Sequence, residues 1–128
     1  MDPEKQKILA NKYPILFKKL GGDPRETCMS WGICVGNGWY NILDDLCSKL
    51  EPHRVVAGQV KEKFGGLRFY LEATSSDKWD EIQQSIQDAE AKSYNTCEIC
   101  GKSGKLRRGS WLKTLCDECQ NKGLQNDD

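Results

Sequence analysis

The sequence predicts an α+β fold, with helices packed on a β-hairpin or small antiparallel sheet, followed by a C-terminal zinc ribbon. Three observations predict it. Apolar residues recur at helical spacing in three segments; the stretch 54–72 is rich in β-branched and aromatic residues and is split by Gly65-Gly66; and the C-terminal part spells C-x2-C-x15-C-x2-C. On this reading residues 1–95 form the α+β domain, 96–120 the zinc ribbon and 121–128 a flexible tail, because NKGLQNDD is polar throughout.

The first segment, 3–20, reads as an amphipathic helix broken or kinked at Pro14. Ile8, Leu9, Tyr13, Ile15, Leu16, Phe17 and Leu20 supply its apolar side, and Lys5, Lys7, Lys12, Lys18 and Lys19 its solvated side. Gly21-Gly22 ends it and Asp23-Pro24 opens a loop; 25–38 has no clean period and reads as irregular. A second helix is expected from about Trp39 to Leu50, with Tyr40, Leu43, Leu46, Cys47 and Leu50 at helical spacing and Pro52 closing it.

The rhythm then changes. RVVAGQVKEKFGGLRFYLE, residues 54–72, reads as a hairpin turning at Gly65-Gly66. A two-residue turn there would set Lys63 against Arg68, an unfavourable pairing of like charges; a bulged three-residue turn would set Glu62 against Arg68 instead. The sequence leaves both registers open. Residues 77–94 form the third helix, with Asp77 as its cap and a stripe of Trp79, Ile82, Ile86, Ala89 and Ser93.

The cysteine spacing carries the chemistry. Two cysteines two residues apart can aim both sulfurs into one concavity, and Gly101 after Cys100 is the small residue such a knuckle needs. Two knuckles face to face offer four thiolates at tetrahedral corners: Cys97, Cys100, Cys116 and Cys119. Trp111 and Leu115 are available to pack beneath the metal. A redox pair or free thiols would not require this double spacing, and a catalytic zinc keeps an open position that four thiolates close. His53, the sole histidine, lies far away beside Pro52.

Composition limits the function classes. A chain of 128 residues with 38% hydrophobic content can build a modest core, which excludes wholesale disorder. Lys plus Arg equals Asp plus Glu at 19 each, so no global basic excess marks a nucleic-acid binder and any such role rests on a local patch. No apolar run could span a bilayer, and the charged N-terminal stretch is not a secretory signal. Four of the seven cysteines go to the metal; Cys28, Cys34 and Cys47 remain, an odd number that suits a reducing compartment. A cytoplasmic protein is the expectation.

Candidate binding residues fall in three places. Lys61, Lys63 and Arg68 on the hairpin suit an anionic partner or a merely solvated strand face. In the ribbon, Lys102, Lys105, Arg107, Arg108 and Lys113 could meet phosphates, or could neutralise the net −2 of four thiolates around a divalent ion. Trp31, Trp39 and Tyr40, beside Gly36-Asn37-Gly38, could form a recognition surface or close a small core. No catalytic constellation is present: Asp44-Asp45 are helical neighbours that point apart, no serine sits in a nucleophile elbow, and Gly36-Asn37-Gly38 lacks the lysine of a phosphate loop. The chain reads as a non-enzyme.

Three stretches together resemble a group of small proteins encoded by phages and prophages. They are Tyr13-Pro14 followed by Leu16-Phe17, the GNGWYNILDDLC segment, and VKEKFGGLRFYLE followed by CEICG…WLKTLCDEC. The resemblance runs from about Tyr13 to Cys119 and is weakest over 22–33. It implies a phage origin and action inside a bacterial host cell, and it supplies no catalytic residues. The expected function is therefore that of a zinc-binding protein that inhibits or modulates a host or defence complex by protein–protein contact. The alternative is a nucleic-acid-binding regulator. The partner-binding residues expected are Lys61, Lys63, Arg68, Arg107, Arg108, Trp39 and Tyr40, and the expected cofactor is Zn2+.

Overall fold

A computed structural model of the chain describes residues 1–74 and 76–122; beyond Lys122 the expected flexible tail lies outside the described residues. The element order is three helices interleaved with a small sheet, then a two-stranded ribbon and a short last helix, an α+β architecture.

Helix α1 spans Pro3–Lys12, with Asp2 as its cap accepting from the Glu4 amide at 2.9 Å and Pro3 pre-set for the first turn. It stops far short of the expected Leu20. Pro14 pushes Tyr13 out of the helical region, to φ −129° and ψ 65°, and the chain continues to Gly21 as a run of turns. Glu51 takes up the amides this releases, accepting from Ile15 and Leu16 at 3.3 and 3.0 Å. Tyr13, Leu16 and Phe17 are buried from these turns, while Ile8 is exposed. The irregular stretch holds a 3-10 turn at Cys28–Trp31, the two-residue strand β1 at Ile33–Cys34 and a second 3-10 turn at Asn37–Trp39. That turn leads into α2, Tyr40–Leu50, which buries Leu43, Leu46, Cys47 and Leu50.

Strands β2, Ala57–Lys63, and β3, Gly66–Leu71, form the expected hairpin, and β1 adds to β2 in parallel. Neither anticipated register occurs. Lys63 pairs with Gly66, Glu62 with Leu67 and Lys61 with Arg68, so the turn residues are Phe64 and Gly65, at φ 56° and 87°. Two left-handed residues in a two-residue loop match the twist of the strands. Putting Phe64 there costs on the order of 1–2 kcal/mol. The facing cations are kept apart because Arg68 turns its guanidinium to the Leu67 carbonyl and the Tyr94 hydroxyl, 3.2 and 3.1 Å away.

Helix α3, Trp79–Ser93, buries Ile82, Ile86, Ala89 and Ser93. Asp77 does not cap it; Lys78 occupies the cap without a side-chain bond, and Ser76 accepts from the Lys78 amide at 3.1 Å. The helix lies along the free edge of β3, where Ser93 and Glu90 accept from the Leu67 and Phe69 amides at 2.9 and 3.1 Å. An edge so covered is closed to further strands. One core unites these elements, with Trp39, Leu9, Leu16, Met29, Leu43, Leu67 and Ile82 at its centre.

Helix α2 is tied to the end of α1 by a single carboxylate: Asp44 accepts from the Tyr13 hydroxyl at 2.6 Å and the Lys12 ammonium at 2.7 Å. Burial and the bond to Asp44 push the Tyr13 phenol up to about 12. A folded value above the unfolded one near 10 stabilises the protein at neutral pH, and that stabilisation is lost as pH rises from the unfolded value through the folded one. Tyr13→Phe should cost about 1 kcal/mol at neutral pH and should flatten the loss of stability above about pH 10, measured by chemical denaturation across that range. Phe64→Asn should leave the thermal midpoint unchanged or raise it by a few degrees, because asparagine tolerates the left-handed turn; a clear fall in the melting curve would refute the strain assigned to Phe64.

Candidate metal centre

The C-terminal module begins where α3 ends. Its first knuckle, residues 97–101, closes on itself through Gly101 N–H to Cys97 O at 2.9 Å and Cys97 N–H to Lys102 O at 2.7 Å, with Gly101 at φ 83°. Strands β4, Lys105–Arg107, and β5, Lys113–Leu115, pair antiparallel and carry the chain back. Helix α4, Asp117–Asn121, starts directly after Cys116, whose sulfur accepts from the Cys119 amide at 3.3 Å.

These elements bring the four predicted cysteines together. The sulfurs of Cys97, Cys100, Cys116 and Cys119 all lie within 4.8 Å of one another, and Cys100 and Cys116 are 3.6 Å apart. A tetrahedral metal with bonds of ~2.3 Å places its sulfurs about 3.8 Å apart, so this cage is the right size. Cys97, Cys116 and Cys119 are buried and Cys100 is exposed. Burial pushes the Cys97 thiol up, yet the amides of Cys100, Cys116 and Ile99 aimed at it prevail and hold it at about 7. Burial, reinforced by the neighbouring sulfurs, lifts Cys119 to about 12. A cation between them would favour the thiolate at every position. The four thiols therefore form a cluster that could hold a metal ion. Leu115 packs with the cluster as expected, whereas Trp111 stands 65% exposed instead of lying beneath it.

The module is docked on the body at two places. At the first, Gly38 N–H reaches Glu98 O at 2.8 Å, Gly36 N–H reaches the Glu98 carboxylate at 2.9 Å, and the Trp39 indole reaches Thr96 O at 2.8 Å. Backbone lies on backbone here: a Cβ on Gly38 would sit 2.1 Å from Cys97 O, and one on Gly36 would sit 2.3 Å from Glu98 O. That is why the Gly36-Asn37-Gly38 sequence needs its glycines. At the second, the Thr114 hydroxyl donates to Gly65 O at the hairpin tip, 2.6 Å away. Lys113 lies 3.2 Å from Glu62 and 3.8 Å from Glu98. Burial raises the Glu98 carboxyl above its ordinary value, opposed by Lys113 and the Gly36 amide.

The expected partner-binding residues separate accordingly. Trp39 is fully buried in the core, so its role as an exposed recognition residue is corrected. Tyr40 is half-buried, with the Lys5 ammonium 5.2 Å from its ring centre. Arg107 is consumed internally, donating to Leu115 O at 3.0 and 3.2 Å and to Asp117 at 2.7 Å. Lys102 lies 3.7 Å from Glu118. Arg108 and Lys105 are exposed, and among the described residues neither lies within ion-pair distance of a carboxylate. Lys61, Lys63 and Arg68 emerge on one face of the hairpin, opposite Val60, Glu62, Leu67 and Phe69. Phe64 and Tyr70 were not among the expected site residues, yet both are exposed. The one sequence signal for Phe64 was a large aromatic at a turn. Of the remaining cysteines, Cys28 and Cys34 are exposed, and burial pushes the Cys47 thiol up.

A scan against protein-family models, a search of curated proteins and a search of solved structures each found no match. Among the described residues no helix is long and apolar enough to cross a membrane.

Gly38→Ala tests the docking. The new methyl group cannot clear the Cys97 carbonyl without moving one backbone or the other, so a loss of about 3 kcal/mol is expected in denaturant unfolding. A loss below about 0.5 kcal/mol would show that the loop and the knuckle do not meet.

Proposed function

We propose that the four cysteines hold a zinc ion in a structural role, and that the protein is a non-enzymatic binding protein working on a macromolecular partner inside a bacterial host. The observation that carries the metal reading is the cage of four sulfurs within 4.8 Å, supplied by two Cys-x2-Cys pairs. A shell filled by thiolates supplies fold stability and not Lewis-acid chemistry. Four thiolates also select a soft or borderline cation over magnesium or calcium.

Two partner classes follow. The resemblance to phage-encoded proteins supports contact with a host protein or defence complex, which the protein would inhibit or modulate. A specific observation supports the other class: the hairpin cations Lys61, Lys63 and Arg68 share an outer face, with Glu62 on the opposite face and Glu72 paired with Lys19. That face suits an anionic polymer, and nucleic acid is the reading taken further below.

Cys97→Ser and Cys116→Ser should each abolish stoichiometric zinc, measured by elemental analysis, and unfold the module after Ser93. Treatment of the native protein with a strong chelator should do the same, since ligand gathering and folding are one event. A variant that keeps both its metal and its thermal midpoint would overturn the assignment.

A further inference from the structure

We propose that the outer face of the β2–β3 hairpin, continued over its tip to Trp111, binds single-stranded nucleic acid. In this strip Tyr70, Phe64 and Trp111 are stacking platforms, and Lys61, Lys63 and Arg68 meet the phosphates. The proposal rests on the nucleic-acid reading above.

The pairing register lays the strip out. Tyr70 and Arg68 are two residues apart on β3 and so share a face; Lys61 stands opposite Arg68, and Lys63 follows Lys61 on the same face toward the tip. The Lys63 ammonium lies 5.3 Å from the centre of the Phe64 ring, which carries the strip over the turn. Across the tip a cavity of about 560 Å3 opens between Phe64 and the loop 109–112, with Trp111 on its far side. That is a volume of ligand size. Tyr70 is 46% exposed, Phe64 60% and Trp111 65%, so three rings stand in solvent along one path.

The charges along this path are unopposed. Glu62, the acidic residue lining the cavity, is held by Lys113 and by the Gly65 amide. Glu72 is paired with Lys19, and Glu90 caps the Phe69 amide on the edge of the sheet. Arg68 is held in place by the Tyr94 hydroxyl, so its guanidinium is set before any partner arrives. Rings alternating with cations suit a polymer that alternates bases with phosphates, because every base offers a π-face whatever its sequence. A protein hot spot instead gathers its aromatics into one desolvated centre.

Phe64 supplies a second, independent argument. Its backbone is left-handed, where sterics disfavour a bulky residue and where asparagine or glycine would sit without strain. Packing does not account for the choice, since the ring is mostly exposed. Backbone strain that the fold does not need points to use by a partner.

The test uses the zinc-loaded full-length protein and fluorescein-labelled dT12 and rU12, read by anisotropy over a salt series. Binding is expected to weaken with salt, with a log–log slope of about −2, corresponding to about three phosphate contacts on a single strand. Phe64→Asn and Trp111→Ala should each weaken binding by roughly 5- to 100-fold while keeping the melting midpoint and the zinc content. Lys63→Gln and Arg68→Gln should each reduce the slope by about 0.7. No binding of either oligonucleotide at low salt by folded, zinc-loaded protein overturns the proposal, as does binding that both aromatic substitutions leave unchanged. A nuclease-resistant protein partner lost on Phe64→Asn, with no oligonucleotide bound, reassigns the strip to protein contact. Zinc content is measured on the same samples: oligonucleotide binding without zinc defeats only the metal reading, and zinc without oligonucleotide binding defeats only this one.

Discussion

The structure turns on one backbone contact, where the peptide joining Cys97 to Glu98 rests on Gly38. Three demands meet at these two residues. Cys97 must present its sulfur to the cluster, the Glu98 carbonyl must accept from Gly38, and the Glu98 amide must donate to Thr114 O in β5 at 3.0 Å. The position of the first knuckle is thus fixed by the body of the protein and by the ribbon at once. A hydrogen-bonded backbone contact without side chains between leaves little room for adjustment, because buried N–H and C=O groups that lose partners are costly. The four-sulfur cage inherits its geometry from this docking and not from the cysteine loops alone.

Electrostatics follows from the same docking. Bringing the ribbon against the hairpin tip places Lys113 between Glu62 and Glu98, and closing the ribbon on itself engages Arg107 with Asp117. Two of the ribbon's basic residues, Lys113 and Arg107, are therefore spent inside the protein, while Lys105 and Arg108 stay exposed. The hairpin has the opposite history. Its acidic residues are drawn away, Glu62 to the ribbon and Glu72 to Lys19, and its cations are left facing out. A chain with equal numbers of acidic and basic residues can acquire a one-signed face in this way, and no count of charges would reveal it.

The parts legible in the sequence were those governed by short-range rules. The spacing of Cys97, Cys100, Cys116 and Cys119 singled out the cluster because a knuckle is a local object. The periods of 40–50 and 79–93 located α2 and α3 because each buries one face. What escaped was set by tertiary contact. The glycines of Gly36-Asn37-Gly38 read as loop punctuation, since the backbone that requires them lies some sixty residues on, the Gly36 to Glu98 bond spanning 62 positions. Strand β1 is two residues long and exists only because β2 offers its other edge. Trp39 and Trp111 exchanged their expected places, one going into the core and the other out to solvent, because composition does not say which aromatic a core will take. The two-residue turn moved back by one position, and the partner of Arg68 from Lys63 to Lys61, because the left-handed turn began at Phe64, a residue that propensity argues against.

That misreading connects the fold to the function. A hairpin free to relax would place its two glycines in the turn and move the phenylalanine into a strand, one position along. This one is braced on three sides: α3 caps the edge of β3, β1 flanks β2, and Thr114 holds the tip through Gly65 O. Such bracing can sustain a strained turn that an isolated hairpin would abandon. The four-cysteine cluster belongs to the same brace, because Cys116 follows directly on the strand that carries Thr114. The docked ribbon and the strained turn thus act on one place: the first holds the hairpin tip through Gly65 O, and the second leaves the Phe64 ring 60% exposed there.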